Sequence, residues 1–247
     1  MTTLDTLRAV PLFSQTREGD LALLAGFLHQ RSYPRNRIIL FGNDPCEAFY
    51  IVVSGQVKVM LIAEDGREVV LSLLGPGDFF GESALMDEEP YESSVMAVED
   101  STLLVLDREA FRRCLREITG VSLGLLRALC VRLREADHRI GELMLLDVTG
   151  RVAHLFLELA TRNDGVRIPD PPTHQVIAQM IGSTRETVSR TINSLAGERL
   201  IATSPGAMLI LDRPALEAAA GNLLRRRLKS PTPGRDRRSV APRQALA

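Results

Sequence analysis

Residues 183–190 read Ser183-Thr184-Arg185-Glu186-Thr187-Val188-Ser189-Arg190, two long cations and a carboxylate set among short hydroxyl side chains. On a helix lying in the major groove of DNA, such a set supplies donor, acceptor and donor. Arg185 and Arg190 suit the O6 and N7 of guanine, and Glu186 suits the N4 amine of cytosine. Thr184, Thr187 and Ser189 are short enough to reach phosphates or base edges without holding the helix away. The competing reading is a solvated i,i+4 pair between Glu186 and Arg190, worth about 0.3–0.5 kcal/mol. The flanking residues favour the groove. Thr173 stands at an N-cap position, Val176, Ile177, Met180 and Ile181 make one apolar face ending at Gly182, and Ser183 and Glu186 have the spacing of a capping box. With Val188, Ile192 and Leu195 as its inner face, the second helix completes a helix-turn-helix. Thr149, Thr173, His174 and Gln175 complete the expected DNA-contacting set, with His174 placed to touch phosphate.

The elements that must position this helix are legible on both sides of it. Leu200-Ile201-Ala202 and Met208-Leu209-Ile210-Leu211 flank Ser204-Pro205-Gly206, which predicts a β-hairpin wing. Upstream, a helix is expected over 149–161, a turn at Asn163-Asp164-Gly165 and a short strand over 166–168. Between residues 108 and 146 glycine thins out, and Leu126, Leu129, Leu133, Ala136, Ile140 and Leu143 follow a 3-4-3-4-3 spacing. That is an a/d seam, which favours pairing with a second helix and so predicts a homodimer; an ordinary amphipathic helix packed on its own domain is the alternative. From Arg31 to Asp107, short β-branched runs alternate with glycine, and Asp65-Gly66 between two of them marks a hairpin turn. Strands of that length and spacing predict a sandwich or small barrel.

Composition narrows the partners. The net charge of −1 is unevenly spread: residues 221–247 carry eight Arg or Lys against one Asp, so a basic tail of about +7 follows a body of about −8. The tail is rich in Arg, Pro and Ser, and is expected to be disordered and to add nonspecific phosphate contacts. No apolar stretch approaches the ~20 residues of a membrane span, and the first residues lack the basic-then-apolar layout of a secretory signal, so a cytoplasmic protein without membrane contact is expected. Cys46, Cys114 and Cys130 are widely spaced and form no CxxC pair, so reduced, mostly buried thiols are expected and neither a metal site nor an iron–sulfur cluster is. No Ser-His-Asp order, metal-spaced His/Cys set or phosphate-binding glycine loop suggests an enzyme. His29, His138 and His154 are scattered and read as packing or surface residues.

Three segments together carry a specific resemblance: Gly77-Asp78-Phe79-Phe80-Gly81-Glu82, Leu146-Asp147-Val148-Thr149-Gly150-Arg151, and Ile181-Gly182 followed by residues 183–190. Over nearly all of residues 10–212 the chain resembles the cyclic AMP receptor protein and Fnr superfamily of bacterial transcription regulators. The resemblance implies an α+β fold. Residues 1–107 would form a double-stranded β-helix (a cyclic-nucleotide-binding-like jelly roll), 108–146 a dimerisation helix, 147–220 a winged helix-turn-helix, and 221–247 the basic tail. It also implies that Arg185, Glu186 and Arg190 read TGTGA-like half-sites of a palindrome, and that RNA polymerase is a partner if the protein activates transcription. A wing lysine common in the family is replaced here by Gly206. An architectural DNA-bending protein without gene-specific control is the rival reading; it would bind with weak sequence preference and strong salt dependence.

The same resemblance marks an effector pocket and departs from it. Gly81, Glu82, Ser83 and Ala84 match the short helix that offers backbone N–H groups to a cyclic phosphate, and Arg132 matches an arginine that pairs with the glutamate. Where the family places Arg-Ser to complete the cradle, this chain has Glu92 and Ser93, followed by Ser94. Where a Thr-Ser pair meets adenine, it has Ala136 and Asp137. A carboxylate in place of the phosphate-neutralising arginine reverses the local field, so tight cyclic AMP binding is not expected. Three readings stay open: cyclic di-GMP, with guanine N–H groups received by Glu92 or Asp137; another, non-phosphorylated small effector; or none.

Overall fold

The computed structural model describes residues 2–86, 89–161 and 163–221, so the basic tail beyond Gly221 lies outside the described residues. The chain opens with α1 (Thr3–Ala9), a 3-10 turn (Pro11–Phe13) and α2 (Glu18–Phe27). Eight strands follow, interrupted once by a helix: β1 (His29–Tyr33), β2 (Ile38–Leu40), β3 (Ala48–Ser54), β4 (Val57–Ile62), β5 (Glu68–Leu74), β6 (Phe79–Phe80), α3 (Glu82–Met86), β7 (Ser94–Ala97) and β8 (Ser101–Asp107). They form two antiparallel four-stranded sheets in the orders β1-β8-β3-β6 and β2-β7-β4-β5.

The run Ala48 to Val52 is buried at every position rather than at alternate ones, because the sheet carrying β3 is covered on both faces. Tyr50, Val52, Leu103 and Val105 join Val57, Val59, Phe80 and Val95 in the core between the sheets. On the other face Phe49, Ile51, Leu104 and Leu106 pack with the N-terminal helices and with Phe111 and Leu125. Asp65-Gly66 sits in the β4–β5 hairpin, Gly66 at φ +80°. Strand β1 was not anticipated: its sequence, HQRSY, lacks apolar alternation, and it is held at the sheet edge by pairing with β8.

The helical run expected over 108–146 is two helices, α4 (Arg108–Glu117) and α5 (Thr119–Leu145), separated at Ile118, whose φ −115° and ψ 89° are not helical. Ile118 is itself buried, so apolar periodicity runs through the break and hides it. The start of α5 crosses the Pro11–Phe13 turn so closely that a Cβ on Gly124 would lie 1.9 Å from the Leu12 carbonyl oxygen; only glycine fits. Along the rest of α5, Leu126, Leu133, Ile140 and Leu143 are 52–64% exposed. Leu129 is half-buried against the barrel's helices, and Ala136 is exposed.

The C-terminal unit runs α6 (Val148–Thr161), β9 (Arg167–Pro169), α7 (His174–Ile181), α8 (Arg185–Gly197), β10 (Ile201–Ser204), β11 (Ala207–Ile210) and α9 (Arg213–Ala219). The expected hairpin wing is present, extended by β9 into a three-stranded sheet in the order β10-β11-β9. The core of this unit is built from Phe156, Ile177, Val188, Ile192, Leu195, Met208 and Leu216. One thiol differs from expectation: Cys46 and Cys114 are buried and free, but Cys130 is exposed on α5.

Candidate nucleic-acid interface and effector cradle

The approach to α8 is set by two local devices. Gly182 ends α7 at φ +64°, the left-handed conformation that glycine tolerates, and its N–H and that of Ser183 both reach the Ala178 carbonyl. Thr184 then caps α8, its Oγ1 accepting from the Thr187 N–H at 3.2 Å. The expected capping box of Ser183 and Glu186 is therefore corrected by one residue. Ser183 is used in closing α7, and the threonine after it is the hydroxyl within reach of the third helical N–H.

Burial of Val188, Thr191, Ile192 and Leu195 turns the opposite face outward, and Arg185, Glu186 and Arg190 are all exposed there. Among the described residues no ion pair joins Glu186 to Arg190. Arg190 instead donates from Nη2 to Thr187 Oγ1 at 3.4 Å, so the surface-pair reading is not realised. Glu186, in the first turn, lies where the helix dipole favours a carboxylate. The other expected contacts divide. Thr173 caps α7 through the Val176 N–H, and His174 Nδ1 and Ser189 Oγ bond each other at 2.8 Å, fixing α7 against α8. Gln175 is exposed. Thr149 is half-buried in the first turn of α6, beside an Asp147 carboxylate that accepts from the Gly150 N–H at 2.7 Å.

In the barrel, Gly81 has φ +92°, and a Cβ there would lie 2.6 Å from the Ala48 carbonyl oxygen, so glycine is required where α3 begins. Glu82 opens α3 with its side chain 7% exposed and pairs with Arg132 of α5, fifty residues away. The Arg132 guanidinium also donates to the Phe79 carbonyl and lies 4.2 Å from the centroid of the Phe79 ring. Among the described residues Glu82 Oε2 has no hydrogen-bond partner, which leaves one buried acceptor for a donor.

Gly81, Glu82, Ala84 and Arg132 are thus brought together. The remaining expected pocket residues are not part of that cluster. Ser83, Glu92, Ala136 and Asp137 are exposed and Ser93 is half-buried, while the buried Ser94 accepts from the Gly42 N–H at 3.0 Å.

Sequence reasoning missed Tyr91, which packs against the inter-sheet core and reaches the backbone of Gly81. Burial, reinforced by the charge of Glu82, pushes its phenol far above the usual range and keeps it neutral. Tyr50, stacked 4.7 Å from Phe80, is pushed up to about 12, chiefly by burial. The Cys46 thiol donates to the Ala48 carbonyl and is likewise raised by burial. Tyr91 lies before β7, in an isolated bridge with Asp44, so no strand periodicity announced its position in the sequence.

A polar chain joins barrel and helix-turn-helix. Lys58 of β4, its side chain 7% exposed, pairs with Glu68 of β5 at 2.6 Å, and Gln179 of α7 donates to the same carboxylate oxygen at 3.0 Å.

A β-roll with a glutamate-led short helix, a long helix with an open apolar seam, and a winged helix-turn-helix define a two-domain type of DNA-binding regulator. Comparisons agree: a cyclic nucleotide-binding domain model matches residues 30–117, and a Crp-like helix-turn-helix domain model matches residues 150–219. The chain is 34% identical to the cyclic AMP receptor protein of Thermus thermophilus, over 88% of this chain and all of that one. It is 32% identical to a CRP-like cAMP-activated global transcriptional regulator of Mycobacterium tuberculosis, over 87% and 99%. The crystal structure of the Thermus thermophilus catabolite activator protein superposes with a TM-score of 0.51 at 35% identity, covering 86% of this chain and 99% of that one. The chain belongs to the Crp/Fnr superfamily of transcription regulators.

Proposed function

We propose that the protein acts as a homodimer that reads a palindrome with TGTGA-like arms and is not controlled by cyclic AMP. The observation that carries the DNA reading is the outward, unpaired presentation of Arg185, Glu186 and Arg190 on a capped helix. An unbiased binding selection with the purified protein tests it: enrichment of inverted TGTGA-like arms is expected, and an unrelated motif or no motif overturns it. Loss of sequence preference altogether would instead favour the architectural reading.

The homodimer is supported by the apolar residues exposed along α5, since Leu126, Leu133, Ile140 and Leu143 each keep half or more of their surface exposed among the described residues. If the protein activates transcription, RNA polymerase is its further partner. It acts in the cytoplasm, where its DNA target lies; among the described residues no helix is long and apolar enough to cross a membrane.

Cyclic AMP independence is supported by the cradle. Arg132 is engaged with Glu82 and the Phe79 carbonyl, Tyr91 lies against Gly81, and the sequence position of the family's phosphate-neutralising arginine is taken by Glu92, which is exposed. The relatives described as cAMP-activated argue the other way, and titration calorimetry decides. No heat with cyclic AMP is expected, whereas saturable micromolar binding would overturn this part alone. Cyclic GMP and cyclic di-GMP belong in the same panel, where a response to cyclic di-GMP alone would identify the effector.

A further inference from the structure

Where α5 meets the DNA-binding unit, a cavity of about 30 Å³ opens between α5, α6 and α7. That is room for a small polyatomic ion or two or so waters, and too little for a nucleotide. Five titratable side chains line it: Arg139 and Glu142 from α5, and Arg151, His154 and Glu158 from α6, with Ile181 among the apolar walls. The charges are unequally satisfied. Glu142 is paired with His154 Nδ1 at 3.0 Å, and Glu158 has a partner of its own. Arg139 and Arg151 have no side-chain hydrogen bond or ion pair among the described residues. Two buried nitrogens at this site, Arg151 Nε and Nε2 of the 2%-exposed His154, also lack partners.

Orphaned buried donors are rare in folded proteins, and each one costs about 1–3 kcal/mol when left without a partner. Here Arg151 Nε opens on the cavity, and among the described residues neither the Arg151 nor the Arg139 guanidinium is paired with the carboxylates that share it, so two cationic donors remain for an anion. We propose that this recess binds a small oxyanion of phosphate size, held by Arg139 of α5 and by Arg151 of α6. The bound anion braces the junction through which the long helix orients the DNA-binding unit. The site is separate from the effector cradle, and the proposal stands whether or not the protein prefers TGTGA-like arms.

The test uses the full-length protein without DNA. Its thermal midpoint is followed as sodium phosphate replaces sodium chloride at constant ionic strength, for wild type, Arg151→Met and Arg139→Met. A saturable rise is expected in the wild type, with half-saturation shifted at least tenfold upward in either variant. No rise, or an unsaturating rise equal in all three proteins, overturns the proposal. If Arg151→Met does not fold, Arg139→Met, on the more open helix, decides by the same criterion. The phosphate could instead be that of the DNA backbone. In that case free phosphate leaves the midpoint unchanged while Arg151→Met lowers the slope of log affinity against log salt by about one, which also overturns a small-ion site.

Discussion

The DNA-reading helix and the effector cradle treat their charges in opposite ways. On α8, Arg185, Glu186 and Arg190 face solvent and among the described residues neither arginine is ion-paired; Arg190 makes only one weak bond, to Thr187, so these groups are open to a partner. In the cradle, Glu82 and Arg132 are drawn inward and paired with each other, and the aromatic groups around them are neutral. A surface kept in water loses little by leaving charges unpaired. A barrel interior cannot do so, because an isolated buried charge costs several kcal/mol. The difference teaches that output is carried by exposed side chains awaiting DNA. The cradle is already braced, so any ligand there would have to displace or extend an internal pair.

The seam that links the two regions carries the largest expected effect. Leu133→Glu places a charge at an a/d position that is 64% exposed in the single chain, so the monomer should fold while pairing fails. Sedimentation should show a monomer, and affinity for the palindrome should fall by roughly 10²–10⁴, the loss expected when two half-sites no longer bind as one unit. A dimer that persists would show that α5 pairs through another face. Next comes Arg185→Ala, expected to cost ~1–3 kcal/mol per half-site, concentrated at one guanine, with nonspecific affinity nearly unchanged. Anisotropy titrations on wild-type and base-substituted sites measure this, and a uniform loss across sequences would make Arg185 a phosphate contact.

Arg132→Met tests the other side of the comparison. It leaves the Glu82 carboxylate buried without its counter-ion, and because the Arg132 side chain is 35% exposed the cost should be about 2 kcal/mol, below the figure for a fully buried pair. Urea unfolding measures it, and the double variant with Glu82→Gln should recover part of the loss. Failure to recover would mean that the contact with Phe79, rather than the pair, stabilises this region.

How much of this was legible beforehand follows the same division. The helix-turn-helix is specified by neighbours in sequence: a threonine cap, an apolar face and a glycine at positive φ are all read within about twenty residues. Even there, Ser183 and Thr184 are adjacent hydroxyls, and only the backbone path decides which one caps α8. The cradle is assembled from residues fifty apart, so the Glu82–Arg132 pair was accessible only through resemblance, and the inward turn of Tyr91 was not accessible at all. Strand β1 was hidden because an edge strand with one wet face needs few apolar residues. The break at Ile118 was hidden because a buried isoleucine fits the helical period equally well.

The smallest expected effect concerns the contact between the two regions. Gln179 reaches Glu68 by one hydrogen bond, and Glu68 also neutralises the nearly buried Lys58. The two contacts should therefore separate. Gln179→Ala removes a bond between the regions worth about 0.5–1.5 kcal/mol and leaves the ion pair intact. Glu68→Gln keeps an acceptor for Gln179 but strands the lysine charge, and should cost more. If the contact holds the helix-turn-helix in one orientation on the barrel, Gln179→Ala should shift operator affinity by a few-fold while barely changing the unfolding midpoint. Glu68→Gln should do the reverse. Equal changes in both quantities for both variants would show that the barrel and the helix-turn-helix merely touch here, and that coupling between them runs through α5 alone.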